Sequence, residues 1–303
     1  MAFLSTRHDD KLTGVLDSKA ILEAVHDNDC ILKNRELVSI SHSLSECASL
    51  RKLDVSYNLL ESVENIEQLK NLRQLLCYSN RLSDICRLGD LKRLEVLLLQ
   101  QNCIAHLPLN FSNMVRLVEL RLDHNRLESL ESAMVGCSSL QRLDLSNNRL
   151  QSISGLSGLQ QLGELRLSGN AIKSLRGLKS LPSMVDLDCS NNLLQDLEGL
   201  ECVPTLETLK VNHNRLITLS IQATKSTTVR LQRLREICAA NNKLSSFSGV
   251  ETLGGSSVER LDVSGNRIAL HCLMEGEGGL TALGGLSSLK ELSLRRNPGF
   301  DDE

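Results

Sequence analysis

The chain has 303 residues, with 34 Lys and Arg against 37 Asp and Glu, a formal net charge of −3. That balance argues against nonspecific nucleic-acid binding, which needs a basic surface. No apolar run approaches the length of a membrane span, and residues 1–10 lack the apolar stretch of a secretory signal. Aromatic residues make up 2% of the chain and Trp is absent, so any core must be almost wholly Leu, Ile and Val.

Residues 17 to 27 read as a short helix, capped by Asp17 or Ser18, with Ile21, Leu22 and Val25 on its apolar side. From residue 29 the chain repeats itself. Residues 1–28 are therefore expected to cap the open edge of the first repeat. Eleven asparagines recur: Asn58, Asn80, Asn102, Asn125, Asn148, Asn170, Asn192, Asn214, Asn242, Asn266 and Asn297. Their separations are 22, 22, 23, 23, 22, 22, 22, 28, 24 and 31 residues. A period of that size marks a stacked repeat, and a solenoid offers its partners a long surface. A degenerate first copy keeps Cys30, Leu32, Leu37 and Ile40 in frame but has Arg35 in place of the asparagine, giving about twelve repeats.

Each copy has two halves. Leu140, Leu143 and Leu145 precede Asn148; Leu150 and Ile153 come after it. Leu143 and Leu145 are two apart, so they share one side of a short strand while Asp144 takes the other. The chain then turns inward at the asparagine. A buried turn leaves backbone groups without water, and an amide both donates and accepts. Asn297, at an open end, is expected to matter less than the inner amides. The return half places Leu156, Leu159 and Leu162 at intervals of three, as it does Ile85, Leu88, Leu91 and Leu94. That spacing fits a 3₁₀-like return better than an α-helix. Residues 220–231 and 269–285, the latter with Glu275–Gly279, lengthen two copies and read as surface loops.

The frame L-x-x-L-x-L-x-x-N-x-L resembles the leucine-rich repeat superfamily over roughly residues 29 to 299. The three-spaced leucines are similar to its cytosolic short-repeat subclass, the protein phosphatase 1 regulatory-subunit type. The resemblance implies an α/β leucine-rich-repeat solenoid at residues 29–303. It would be a right-handed horseshoe with parallel strands on the concave face and 3₁₀ or irregular returns on the convex face. Asn297-Pro298-Gly299-Phe300 resembles the opening of a C-terminal cap. Three readings stand there: no cap, a partner in a larger assembly covering that edge, or a fragment.

Ten cysteines are scattered, with no C-x-x-C or C-x-C pair, which speaks against a metal site and for reduced thiols in a cytoplasmic setting. Cys77 and Cys189 take core positions; Cys238 is expected to point outward from its strand. His124 and His213 lie four repeats apart, roughly 19 Å at the spacing of stacked strands, too far to share a metal. No nucleophile–base set emerges, so no catalytic residue, cofactor or metal is expected. Asn110-Phe111-Ser112 matches a glycosylation sequon that a cytosolic protein would not use.

Register aligns the outward residues in columns. From Glu119 to Arg166 they alternate in sign: Glu119 and Arg121, Arg142 and Asp144, Glu164 and Arg166. This reads first as a self-satisfied ladder. Leu76, Tyr78, Val96 and Leu98 instead form an apolar patch, a mark of contact sites. Asp186 and Asp188 form an unpaired acidic spot beside Thr208 and Lys210. The expected partner-binding residues are Leu76, Tyr78, Val96, Leu98, Arg121, Asp186, Asp188 and Lys210. The expected function is a non-enzymatic scaffold or adaptor for one or more proteins, without nucleic acid or membrane insertion. The resemblance adds two alternatives: a regulatory subunit of a Ser/Thr phosphatase, and a structural part of a cytoskeletal or ciliary assembly.

Overall fold

The structure, a computed structural model, describes residues 21, 24–40, 42–156, 158–178, 181–221, 231–250, 257–270 and 283–300. The expected loops fall mostly at 222–230 and 271–282, outside the described residues, as do residues 17–20 and Leu22 of the expected helix.

Strands of only two or three residues recur: β1 Val25–His26, β2 Asp29–Ile31, β3 Lys52–Asp54, β4 Gln74–Leu76, β5 Val96–Leu98, β6 Glu119–Arg121 and β7 Arg142–Asp144. They continue as β8 Glu164–Arg166, β9 Asp186–Asp188, β10 Thr208–Lys210, β11 Glu236–Cys238, β12 Arg260–Asp262 and β13 Glu291–Ser293. They form one sheet in chain order, parallel from β2 onward. Register tracks the repeat: Leu143 stands opposite Leu120 and Leu165. The result is a parallel-strand β-solenoid with little helix.

The return halves explain the spacing by three. Leu88 N–H bonds the Ile85 carbonyl at 3.1 Å, Leu91 that of Leu88 at 3.0 Å, and Leu94 that of Leu91 at 3.0 Å. Each bond spans three residues, so every apolar side chain returns to the inward side, as in a 3₁₀ turn. Regular 3₁₀ turns occur at Ile66–Gln68, Leu88–Asp90, Leu109–Asn113 and Leu200–Cys202. Strand and return leucines meet in one continuous core; Leu140, Leu143, Leu145, Leu150 and Ile153 are all at most 1% exposed. A fully buried Leu or Ile contributes roughly 1.5–3 kcal/mol, so a dominantly Leu core needs little aromatic payload beyond the buried Phe111 and Phe247.

The asparagines join the turns to one another. Asn148 Nδ2 donates to the Leu145 carbonyl of its own turn at 3.0 Å and to the Leu122 carbonyl of the preceding turn at 2.9 Å. Its Oδ1 accepts the Leu127 N–H at 2.9 Å. Asn170 repeats the set with Leu167, Leu145 and Leu150. At the degenerate copy, Asn58 Oδ1 accepts from both Arg35 and Leu37 N–H, so that turn needs no asparagine of its own.

The residue before each ladder position is left-handed. Asn34, Tyr57, Ser79, Gln101, His124, Asn147, Gly169, Asn191, His213, Asn241, Gly265 and Arg296 have φ between 54° and 72°. Gly169 and Gly265 adopt it freely; Asn tolerates it because its short amide bonds locally.

The structure corrects two expectations and shows one effect of the sheet's edge. Ile21 is helical and 1% exposed, but Val25–His26 is a strand. It pairs antiparallel with β2, Val25 opposite Cys30, through Asp27 and Asn28 at φ 51° and 68°. Two positive φ values in a two-residue loop make a hairpin turn, which ends any helix before Val25. Leu292, in the core frame, is 36% exposed, because β13 has a neighbour on one side only among the described residues. Asn297 is held as firmly as the inner amides. It is 3% exposed and fully bonded: Oδ1 accepts Ile268 N–H, and Nδ2 donates to Val263 and Leu294.

Replacing Asn148 or Asn170 by Ala orphans the Leu127 or Leu150 N–H and takes one of two amide donors from each shared carbonyl, at a cost of about 1–3 kcal/mol. Asn297→Ala is expected to cost the same. Urea denaturation midpoints test this; unchanged midpoints for all three would show that the amide bonds do not hold the turns.

Candidate functional site

The outward side chains of the sheet fall into two regions. In the middle, the charges satisfy each other. Arg142 Nη2 lies 2.7 Å from Glu119 Oε2 on the neighbouring strand, and Arg166 Nη2 lies 2.5 Å from Glu164 Oε1 on its own. Arg121 reaches Asp144 at 3.8 Å and Asp123 at 3.1 Å. Exposed pairs of this kind contribute about 0–1 kcal/mol each, so their main effect is to leave few free charges for a partner.

Toward the N-terminal end the face turns apolar. Leu76 of β4 stands opposite Leu98 of β5, and Val96 lies two residues back on the same side. All three are half-buried in their own sheet, as is Tyr78 just beyond β4. Ile31, in the same column as Leu76 and Leu98, is 53% exposed. Tyr78 is not alone. The Tyr57 ring meets it edge-on, with centroids 5.2 Å apart and planes at 80°. Lys33 Nζ sits 4.9 Å from the Tyr57 centroid and 5.8 Å from that of Tyr78, completing a cation–π cluster. Hydrogen bonding to Tyr78 pushes the Lys33 pKa up. Tyr57 and Lys33 are the residues that sequence reasoning missed. They lie in the columns one and two residues before the ladder; lining up Asn34, Tyr57 and Ser79 beside Lys33, Ser56 and Tyr78 would have found them.

The acidic spot is not unpaired. Asp188 Oδ1 accepts the Ser190 N–H at 2.9 Å, just as Asp54, Asp144 and Asp262 accept those of Ser56, Ser146 and Ser264. An outward Asp therefore braces its own turn. Burial raises the Asp186 pKa, Lys210 across the strands lowers it, and Glu164 raises it again. Asp186 stands opposite Thr208, and Asp188 opposite Lys210. The two aspartates and Lys210 lie four to six strands from Leu76 and Leu98, so the structure does not bring the expected contact residues into one site.

The histidines and cysteines have structural surroundings. His124 and His213 Nε2 lie 3.2 and 3.3 Å from the Asn147 and Asn241 amides of the next turn. Nine described cysteines are free. Cys77 and Cys189 are fully buried, which raises their pKa strongly. Cys238 faces outward, half-buried, 3.6 Å from Glu236 Oε1; burial and then Glu236 push its thiol up to about 11. No described group of His, Cys, Asp and Glu is placed to hold a metal ion. No described helix is long and apolar enough to cross a membrane.

Thiolates are the reactive form, so native protein is expected to react slowly with a thiol reagent at neutral pH, and denatured protein to yield ten free thiols. Recovery of several disulfides from fresh protein would refute this. For Asp186 the folded pKa is raised, so its protonated form is the one the fold favours. That contribution is present at acid pH and lost as pH rises through the raised value. Asp186→Asn is expected to raise the denaturation midpoint at pH 7 and leave it unchanged at pH 3; no difference between the two pH values would show the carboxyl is not desolvated.

Residues 116–172 match a family model described as leucine rich repeat, and residues 160–202 one described as leucine rich repeats in two copies. No curated protein matches the chain. Among solved structures, the leucine-rich repeat domain of APL1B aligns with a TM-score of 0.73 at 19% identity, covering 93% of this chain and 78% of that one. The leucine-rich repeats of FLRT2, solved in an octameric complex with latrophilin 3 and Unc5D, align at 0.71 and 23%, covering 91% and 84%. A leucine-rich-repeat protein of Leptospira interrogans aligns at 0.67 and 24%, covering 88% and 72%. Such solenoids typically serve as non-enzymatic interaction modules. Residues 116–202 thus match leucine-rich repeats in sequence, and most of the chain is similar to leucine-rich-repeat domains in fold.

Proposed function

We propose that this chain is a non-enzymatic scaffold that binds a protein partner on the outward face of its sheet. That face would be the concave side of a right-handed arc of about twelve repeats at residues 29–303, with residues 1–28 as its cap. The observation that carries the reading is the apolar patch of Leu76, Val96 and Leu98 beside the Tyr57–Tyr78 pair. Here the face lacks the paired charges of Glu119 to Arg166. Desolvation favours the patch: roughly 1.5–3 kcal/mol for each fully buried aliphatic side chain, less for side chains already half-buried. Tyr adds a large rigid surface with a polar tip. Arg121 is a minor contact, since a ligand must displace Asp123 and Asp144 to use it. Asp186, Asp188 and Lys210 are a second, weaker region for a long partner.

Tyr57 supports the reading independently. It holds a left-handed backbone at φ 54° while 50% exposed. A bulky side chain there costs on the order of 1–2 kcal/mol, and such strain concentrates at functional positions. The free cysteines are consistent with a reducing, cytoplasmic setting. Regulation of a Ser/Thr phosphatase and a place in a cytoskeletal or ciliary assembly rest on resemblance alone; no residue of the face favours either.

Capture of partners from native cell extract, read by mass spectrometry, tests the proposal. Leu76→Asp with Leu98→Asp is expected to abolish capture with the fold intact, and Arg121→Ala to weaken it slightly. The reverse pattern would sink the apolar reading. Tyr57→Asn exchanges backbone strain for a comparable loss of aromatic contact, about 0.5–1.5 kcal/mol. Its stability is therefore expected to stay within about 1 kcal/mol of the parent while capture falls.

A further inference from the structure

The edge from which the strands start carries its largest excess of positive charge in one stretch. Seven, nine and ten residues before the ladder positions from Asn58 to Asn125 stand Arg51, Lys70, Arg73, Lys92, Arg93 and Arg116, all exposed. One carboxylate, Glu95, shares these positions and is paired with Arg73 at 3.2 Å. Over the next three turns the same positions hold Ser138, Ser139, Gln141, Gln160, Gln161, Gly163, Pro182, Ser183 and Val185, without a charge. The chain as a whole is acidic, so this concentration is local.

Within the stretch three guanidiniums line one hollow of about 240 Å³, together with Asn28, Ser49 and Asn71. Arg51 and Arg73 are on adjacent turns, joined by the Arg73 N–H to Arg51 carbonyl bond at 2.7 Å. Arg93 Nη1 is held on Asn71 Oδ1 at 2.5 Å, and Asn71 Nδ2 donates to the Ala48 carbonyl at 2.9 Å. Arg51 has no ion pair among the described residues. The hollow therefore presents one oriented and one free guanidinium, with a third tethered to Glu95. It holds more positive charge than its own carboxylate neutralises.

We propose that this hollow binds the phosphate of a phosphorylated segment in the protein partner. The placement of that partner rests on the strand-face reading above. A phosphate dianion offers three acceptor oxygens, which suits several converging guanidiniums better than a single carboxylate does. The hollow borders the starts of β3, β4 and β5, the turns that also carry Leu76, Val96 and Leu98. One extended segment reaches both, with apolar side chains on the face and its phosphate over the edge. Nucleic acid fits less well. A single strand is held by aromatic rings that stack its bases alongside a basic groove, and a duplex by a longer basic surface than one hollow on an acidic chain. Tyr78 lies five residues past Arg73, roughly 16 Å away at the rise of a strand.

The test uses the full chain. Inorganic phosphate is titrated at constant ionic strength against chloride, with the arginine Nε–H signals tracked by NMR. Saturable shifts at Arg51, Arg73 and Arg93 are expected. Arg51→Ala with Arg93→Ala is expected to weaken binding at least about tenfold, the size of one charged hydrogen bond. Arg126→Ala with Arg215→Ala, equal in charge but elsewhere, is expected to change nothing. No saturable response, or equal loss in both double variants, overturns the site. A Ser/phosphoserine peptide array then identifies the source: binding concentrated on phosphoserine members and lost in the first double variant supports the proposal. Tighter binding of short polyuridine or of phosphatidylserine vesicles than of any phosphopeptide overturns it. Leu76→Asp with Leu98→Asp leaves the phosphate titration unchanged. If that variant still captures the partner, the strand-face reading fails and the phosphate site stands; if the titration fails, only the phosphate site is lost.

Discussion

Every other feature depends on how one buried amide joins consecutive turns. Each ladder asparagine donates to a carbonyl of its own turn and to one of the turn before, and accepts an N–H that the earlier turn leaves open. The turn is thus closed jointly by its own asparagine and by that of its successor. Isolated backbone groups in such a bend would be costly. The linkage also fixes stacking: a turn shifted by one residue would lose all three bonds at once and would rotate its leucines out of the core. Straight outward columns result from that constraint, and the surface inherits its order from the interior.

The same turn creates a second constraint. To aim the amide inward, the preceding residue takes a left-handed backbone. Asn147, Asn191, Asn241, Gly169 and Gly265 meet that demand at low cost. Tyr57 and Arg296 meet it at a higher one. A column with a shared backbone requirement makes exceptions visible, and Tyr57 is the exception that also carries an aromatic partner and a cation.

Most of the fold was legible because its period is short and its core is made of one residue type. The ladder, the inward leucines, the return by threes and the pairing register all derive from spacing. Val25–His26 was not legible, since two residues cannot establish a period and the decisive signal was the backbone of Asp27 and Asn28. Leu292 kept its place in the frame but not its neighbours. The face was legible only in part. Columns four and six residues before the ladder revealed Leu76, Val96 and Leu98. Bonds between columns, such as Asp188 to Ser190, and clusters across them, such as Lys33 with Tyr57 and Tyr78, depend on which side chain bends toward which.

A solenoid with uniform stacking has no structural reason to vary its surface from turn to turn, because each turn contacts only its neighbours. The variation observed is therefore a property of the surface itself. Turns around Glu119 to Arg166 pair their charges, and the edge beside residues 138 to 185 carries none. Turns around Arg51 to Leu98 do the opposite on all three exposed features: an apolar face, a strained tyrosine with its aromatic neighbour, and an edge of excess positive charge. None of the three improves the fold. Half-exposed leucines leave apolar area in water, a left-handed tyrosine stores strain, and clustered guanidiniums repel one another. Their coincidence on the same few turns is what a contact surface requires and what a merely stable stack would avoid.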